Sequence, residues 1–446
     1  MRIVHKLQST LEIHIAQVIY LCLVFTKLIC ENLGFTFPPL FIIIMPLYTD
    51  YNIIDLQFTQ YTLSKMDILI GTRETRLKIL NRHFIPCLSS IIDALATGVF
   101  RSTWEFDGEY LFELPLDREN SDLDCVIDWG DGSESQHITR IEDCVHNYEE
   151  GVYEIKITGW ITGFTFNRSS RRARQSIRKI LEWGPVRLSN SGRQFAECSS
   201  LEIDALDNPK LNNITNMESM FRDAIYFTGN IGGWDTSTVT NMHSMFSRAV
   251  SFNCDIGKWN TSEVTNMGSM FEGAAQFNCD LAEWKTSKVT NMHRMFKGTT
   301  RFNCDIGGWN TSEVTNMGSM FKGATQFNCD LGKWNTSKVT DMGSMFKGAI
   351  QFNGDLGEWE TSKVTDMGHM FDGAEHFNGD ISKWNTSEVT NMDYMFYDAI
   401  HFDSNYTSLW KTSKIFSKNC IFGRGETYIM DYDTLEFPDV HGDFTE

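Results

Sequence analysis

The sequence predicts a repeat solenoid, 25 residues per coil, built of short parallel strands and short helices and preceded by a small all-β domain. Three observations predict it. Tryptophan recurs at Trp234, Trp259, Trp284, Trp309, Trp334, Trp359 and Trp384, always 25 residues apart. A Met-Phe pair keeps the same period from Met220/Phe221 and Met245/Phe246 to Met395/Phe396. Upstream, between 103 and 166, the period vanishes and short alternating apolar runs replace it. A fixed period of this length marks an array in which each repeat cannot bury its apolar face alone and must stack on its neighbours.

Residues 1–100 are read as a signal, an anchor or a helical segment. Ile13–Cys30 is apolar but carries His14, Gln17 and Lys27, and Leu40–Leu47 is broken by Pro46. Arg2, His5 and Lys6 precede the first run, as in a secretory signal. Neither run supplies about 18 clean apolar residues for a membrane span. The competing reading is a pair of buried helices or an upstream extension. Helices are expected at Glu74–Asn81 and Pro86–Ala96.

Residues 103–166 read as a β domain with strands at Tyr110–Leu114, Cys125–Trp129 and Tyr153–Ile157. Asp128-Trp129-Gly130-Asp131-Gly132 is a tight turn whose glycines accept positive φ. Asp128 and Asp131 are turn formers or calcium ligands; turn chemistry is favoured, because calcium needs about six or more oxygens. Arg168–Lys179 is the basic run, and 167–194 is read as a solvated linker, with a nuclear signal, a protease site or a phosphate patch as alternatives.

The array occupies 195–416 as about eight coils. Phe195–Ile214 is a degenerate coil that caps it, since terminal repeats are atypical. In the copy Cys254–Asn278, Val264-Thr265 suits a short strand. Met267–Ala274 spaces its apolar residues by three and four and suits one or two helical turns, broken at Gly273. Asn260, Asn278 and Asp280 are turn formers. Residues 417–446 are polar and acidic and read as a tail.

Three polar columns follow from the period. Cys254, Cys279, Cys304 and Cys329 would stack about 4.8 Å apart. They are read as small buried thiols, with disulfides between neighbouring coils as the alternative; a line of sulfurs does not give a tetrahedral zinc site. Asn253, Asn278, Asn303, Asn328, Asn353 and Asn378 are expected to satisfy backbone groups. Asp255, Asp280, Asp305, Asp330, Asp355 and Asp380 are expected to cap turns, with cations between coils as the alternative. The Thr-Ser rows are flanked by Glu or Lys, which argues against an ice-binding face. Asn260, Asn310, Asn335 and Asn385 are glycosylation sequons if the chain is secreted.

The phrase F-N-x-D-I/L-x-x-W-x-T-S-x-V-T-N/D-M-x-x-M-F resembles the BspA-like leucine-rich repeat surface-protein family, whose repeats also occur in mycoplasma lipoproteins. The resemblance covers roughly Phe195 to Trp410. The order D-W-G-D-G, then His146-Asn147-Tyr148, then Gly151-Val152-Tyr153-Glu154-Ile155-Lys156-Ile157 resembles the PKD-type β-sandwich. Together these imply a leucine-rich-repeat-like solenoid behind a PKD-like sandwich, a role in surface binding or adhesion, and no enzyme activity.

Composition narrows the function. The net charge of -19 and pI near 5.0 argue against a nucleic-acid partner, which wants a basic footprint. Eleven cysteines without a C-x-x-C pair do not make a small disulfide scaffold. No nucleophile–base constellation, phosphate loop or zinc spacing is legible, so no catalytic residue, cofactor or metal ligand is assigned. The copies Cys254–Asn278 and Cys304–Asn328 differ only at Lys258/Gly308, Glu272/Lys322 and Ala275/Thr325. Catalysis needs unlike groups converging on one point, whereas near-identical coils supply rows. Variation then picks out a candidate binding face: His243, Lys258, Glu263, Glu283, Lys288, His293, Lys333, Glu358 and Asp393. The expected partner is a protein or glycan, with membrane contact only through an N-terminal anchor. The expected location is the cell surface or outside the cell; the alternative is a cytoplasmic interaction scaffold.

Overall fold

The computed structural model describes residues 98–416 and 419–422. The apolar runs at 13–30 and 40–47, the helices expected between 74 and 96 and most of the 417–446 tail lie outside the described residues. What is described falls in one compact unit, Thr97–Glu446.

Ten strands are described, in the order β1 Phe100–Phe106, β2 Tyr110–Glu113, β3 Leu123–Asp128, β4 Gln136–Ile138, β5 Val145–Tyr148, β6 Gly151–Phe164, β7 Ile177–Glu182, β8 Val186–Leu188, β9 Glu202–Ile203 and β10 Thr228–Gly229. The strand β1 shows why: Phe100, Ser102, Trp104 and Phe106 are buried while Arg101, Thr103 and Glu105 face outward, the two-residue alternation of a half-buried strand. Long β6 lies between β1 and β3 and pairs antiparallel with both. The sheet order is β10-β9-β7-β1-β6-β3-β4, with β8 alongside β6, and β2 and β5 form a separate pair.

This corrects the expected PKD-like sandwich at 103–166. The three predicted strands exist within β2, β3 and β6, but the sheet is open, begins at Phe100 and continues to Gly229. It also corrects the linker at 167–194. That segment holds α1, Arg171–Ser176, followed by β7 and β8. Its basic residues stay partly exposed but pair with acids. Arg168 pairs with Glu119, Arg172 with Asp107, Arg174 with Glu197, Arg178 with Glu105 and Lys179 with Glu202. The strand pairing of β7 with β1 and β9, and of β8 with β6, holds the segment in place.

β7 turns the sheet into the array. It pairs antiparallel with β1 but parallel with β9, and β9 pairs parallel with β10. Sheet and coils therefore share one hydrogen-bonded edge. The aromatic side chains Phe164, Phe166 and Trp183 lie against Phe195, whose ring stacks on Phe221 at 5.6 Å. The sheet is the cover over the first ring of the column.

Asp128 and Asp131 do turn chemistry. Asp128 Oδ1 accepts from the Gly130 amide at 3.0 Å, and Asp131 Oδ1 from that of Ser133 at 3.0 Å. Gly130 has φ +80, and a Cβ there would meet Glu154 O at 2.3 Å, so only glycine fits. His146 Nε2 shares a 2.8 Å hydrogen bond with Asp131 Oδ2 while its ring stacks on Trp129. The hydrogen bond from Ser133 first, opposed by burial and reinforced by His146, holds the Asp131 carboxyl below the usual carboxylate range. A group with its folded pKa depressed contributes stability above its unfolded pKa, about 3.9, and loses that contribution as pH falls toward the folded value. Asp131→Asn is therefore expected to lower the melting temperature at pH 7, with the gap to the parent closing below about pH 4; melting curves across that range check it.

The array corrects the expected solenoid of short strands and short helices. No coil contains a helix between 216 and 402, and the predicted strand at Val264-Thr265 is replaced by a single bridging residue per coil, Asn216↔Asn241↔Asn266↔Asn291 and onward to Asn391. The backbone explains it. Ser269 (φ 53) and Gly273 (φ 74) both sit in the left-handed region, and their counterparts recur in every coil. Two such residues four apart interrupt a right-handed helix. The amides that a helix would use internally point to the next coil instead. Met267, Ser269, Phe271 and Gly273 donate to the carbonyls of Asn291, His293, Met295 and Lys297. Amides between them close short turns, Met270 to Met267, Glu272 to Ser269 and Ala274 to Phe271. The three-and-four spacing of Met and Phe thus serves a curl of turns that buries one edge.

The interior is a set of aromatic columns. Rings of Phe296, Phe321 and Phe346 stack at 5.7 and 5.6 Å, and Trp309, Trp334 and Trp359 at 6.5 and 6.4 Å. Each such pair contributes about 0.5–1.5 kcal/mol beyond its buried area. The indole N–H of Trp334 donates to Ile306 O at 3.1 Å, so the buried donor is satisfied. Trp410 follows Trp384 one residue late; a short 3-10 turn at Ser404–Thr407 lies between them, and the indole still stacks at 6.2 Å. Residues 419–422, assigned to the tail, instead begin a further coil: Phe422 bridges Phe396 and stacks on it at 5.5 Å.

Candidate binding surface

Each coil fixes its surface through three inward-tied polar columns. Asn278 Oδ1 accepts the Asn303 amide at 2.9 Å, Asn303 Oδ1 that of Asn328 at 2.8 Å, and the ladder runs on to Asp403. Asp280 Oδ1 accepts the Ala282 amide at 3.0 Å, and Asp305 Oδ1 that of Gly307 at 2.9 Å. The hydroxyl of Thr311 donates to Asn335 O in the next coil at 3.0 Å. Asparagine and aspartate thus satisfy backbone groups, as their residue types suggested.

The cysteine column is tied in too. The Ile256 amide donates to Cys279 Sγ and the Ile306 amide to Cys329 Sγ, both at 3.4 Å, while Cys304 Sγ donates to Asn278 Oδ1 at 3.2 Å. All eight described cysteines are free thiols. Burial raises the thiols of Cys254, Cys279 and Cys329 and pushes Cys304 up to about 11. At pH 8 a thiol reagent is expected to label exposed Cys420 at least about tenfold faster than the four column cysteines; peptide mapping after brief alkylation checks it.

Six of the nine candidate residues are exposed. Lys258, Glu283, Lys333 and Glu358 share one column, in which Lys383 pairs with Glu358 at 2.6 Å. Glu263 and Lys288 share a second and pair at 2.6 Å; Lys338–Glu313 and Lys414–Glu388 repeat the motif at 2.7 Å. The second column alternates in sign from Glu263 to Lys338, as a two-coil unit of near-identity dictates, and then places Lys363 beside Lys338. Exposed pairs of this kind add about 0–1 kcal/mol each and are screened by salt.

The other three, His243, His293 and Asp393, do not face solvent as the sequence suggested. They are half-buried in a column otherwise filled by Glu218, Gly268, Gly318, Gly343 and Gly368. The Nδ1 atoms of His243 and His293 are enclosed without a hydrogen-bond partner. Burial first, then Arg294, lowers the His293 pKa, which keeps the ring neutral near pH 7. Asp393 Oδ1 accepts the Asn419 amide at 2.6 Å. These side chains fill gaps between coils.

A further charged column was not singled out from the sequence: Glu272, Lys297, Lys322, Lys347 and Asp372. Its outer members pair, Lys297 with Glu272 at 2.7 Å and Lys347 with Asp372 at 2.6 Å. The signal was the Glu272/Lys322 difference between near-identical copies. Among the described residues no group of three or more His, Cys, Asp or Glu is placed to hold a metal ion. No helix among them is long and apolar enough to cross a membrane.

A family profile described as "Mycoplasma protein of unknown function, DUF285" matches the chain three times in succession, over residues 189–288, 279–361 and 351–444. No curated protein and no solved structure matches it.

Proposed function

The chain belongs to that DUF285 family, and we propose that it works as a non-catalytic binding protein at the cell surface, presenting the exposed rows of its coils to a protein or glycan partner. One observation carries the reading. Coil after coil, the same positions are tied inward by asparagine, aspartate and threonine, while Lys258, Glu283, Lys333 and Glu358 change from coil to coil and stand exposed. A rigid scaffold with variable rows suits an extended interface, where many positions each contribute a little and a few dominate. The resemblance of the repeat phrase to BspA-like surface repeats supports the surface location.

The test uses the full chain against arrayed glycans and extracellular proteins. The quadruple charge reversal K258E/E283K/K333E/E358K is expected to weaken any hit at least tenfold while leaving the melting temperature within a few degrees, because rim charges govern encounter and specificity more than folding. Unchanged binding by the reversed chain would remove this face from the interaction. Protease treatment of intact source cells that leaves the chain uncut would argue for an internal scaffold instead.

A further inference from the structure

We propose that Lys322, with Lys297 and Lys347 on either side, holds an oxyanion, a phosphate or sulfate ester carried by the partner. This rests on the binding-protein reading and assigns it a chemistry. The column containing these residues gathers three like charges in succession at partly buried positions. Along the Glu263 column Lys288, Lys338 and Lys414 each find an acid one coil back, and Lys363, which lacks an ion pair among the described residues, is exposed to water. Here the order is Glu272, Lys297, Lys322, Lys347, Asp372, three cations between two anions. The outer lysines turn away from the centre, Lys297 to Glu272 and Lys347 to Asp372. Lys322 is left with no ion pair or side-chain hydrogen bond among the described residues.

Its surroundings make that arrangement costly. Lys322 is half-buried, and burial, then Lys347, Lys297 and Arg294, all act to lower its pKa, with Asp372 opposing them. A chain with a net charge of -19 has acids to spare, yet among the described residues none forms an ion pair with Lys322. The near-identical coil carries Glu272 at this very position, where it pairs with Lys297. The substitution of lysine for glutamate therefore converts a self-neutralised step into an uncompensated one, and a half-buried cation of this kind is stabilised by an incoming anion.

The geometry selects the kind of anion. Each lysine directly follows a ring of the Phe296–Phe321–Phe346 column, whose rings stack at 5.7 and 5.6 Å, so the three lysines recur one coil apart. Lysine ammoniums are compact point charges with rotatable donors, unlike the planar arginine fork that matches a carboxylate edge. A tetrahedral oxyanion offers oxygens in several directions and can accept from Lys322 and from Lys297 or Lys347 as that lysine swings from its acid.

The full chain is titrated with inorganic phosphate, inorganic sulfate and acetate, each against sodium chloride at matched ionic strength, with calorimetry and thermal melting as readouts. Lys322→Gln and Lys347→Gln are compared with Lys338→Gln, whose lysine is paired with Glu313. Phosphate, sulfate or both are expected to bind the parent and K338Q alike and to lose at least fivefold in affinity with K322Q and with K347Q; which ion binds names the ester. Equal binding to all four chains would mean an adventitious ion only and overturn the proposal, as would acetate binding as tightly as phosphate. The titration needs no partner, so its failure leaves the surface reading intact, and failure of the charge reversal above leaves this site untouched.

Discussion

Replacing Phe321 with alanine is expected to cost about 3–5 kcal/mol, the range for emptying a buried aromatic site. Phe321 is 0% exposed. Its ring stacks on Phe327 at 4.0 Å and stands between Phe296 and Phe346. The cost depends on how far neighbours can close the hole. Here they can close little, because the Phe321 amide is bonded to Met345 O at 2.8 Å and the Phe296 amide to Met320 O at 2.9 Å, which fixes the spacing of the coils around the gap. Denaturant titration of the two chains measures it. A loss under about 1 kcal/mol would mean that the aromatic column is not packed as described. By contrast Lys338→Ala, which removes a pair whose side chains are 45% and 47% exposed, should cost less than about 1 kcal/mol.

Period and burial were legible in the sequence for one physical reason. Trp259, Val264, Met267, Met270 and Phe271 repeat because each must meet its own copy, and all are buried as the period required. Local conformation was not legible. The spacing of Met267, Met270, Phe271 and Ala274 fits a helical face, but spacing alone does not report where the amides go. Ser269 gives no sign that it occupies the left-handed region, which favours glycine. Only Gly273 carried that signal, and it was read as the end of a helix rather than one of two kinks.

The sheet was partly legible. The D-W-G-D-G turn and the alternation in β2, β3 and β6 announced themselves, whereas Arg168–Lys179 read as a solvated run because its acidic partners, Glu119, Asp107, Glu197, Glu105 and Glu202, are scattered along the sequence. The surface divided the same way. Lys258, Glu283, Lys333 and Glu358 were found by their variability and are exposed. His243 and His293 vary equally but fill gaps above glycines, since variability marks any position that the repeat does not constrain, inside or out.

The central claim is that the chain is a register-locked stack of 25-residue coils made of turns. It is tested most directly by two deletions compared by thermal melting and hydrogen exchange. Removing Cys279–Asn328 takes out two whole coils, joins Asn278 to Cys329, and restores both the Phe and Trp columns and the pairing of a glutamate at Glu263 with a lysine at Lys338. Removing 279–315 takes out one coil and half of the next, so Asn278 runs straight into Asn316 and that coil loses its tryptophan and its bend. Because each coil contacts only its neighbours, stability is close to a sum of coil and interface terms. The first chain is expected to melt cooperatively within a few degrees of the parent, with the Met317-type amides of the remaining coils still protected; the second is expected to lose cooperative melting and protection beyond the junction. Equal behaviour of the two deletions, folded or unfolded, would contradict the stack.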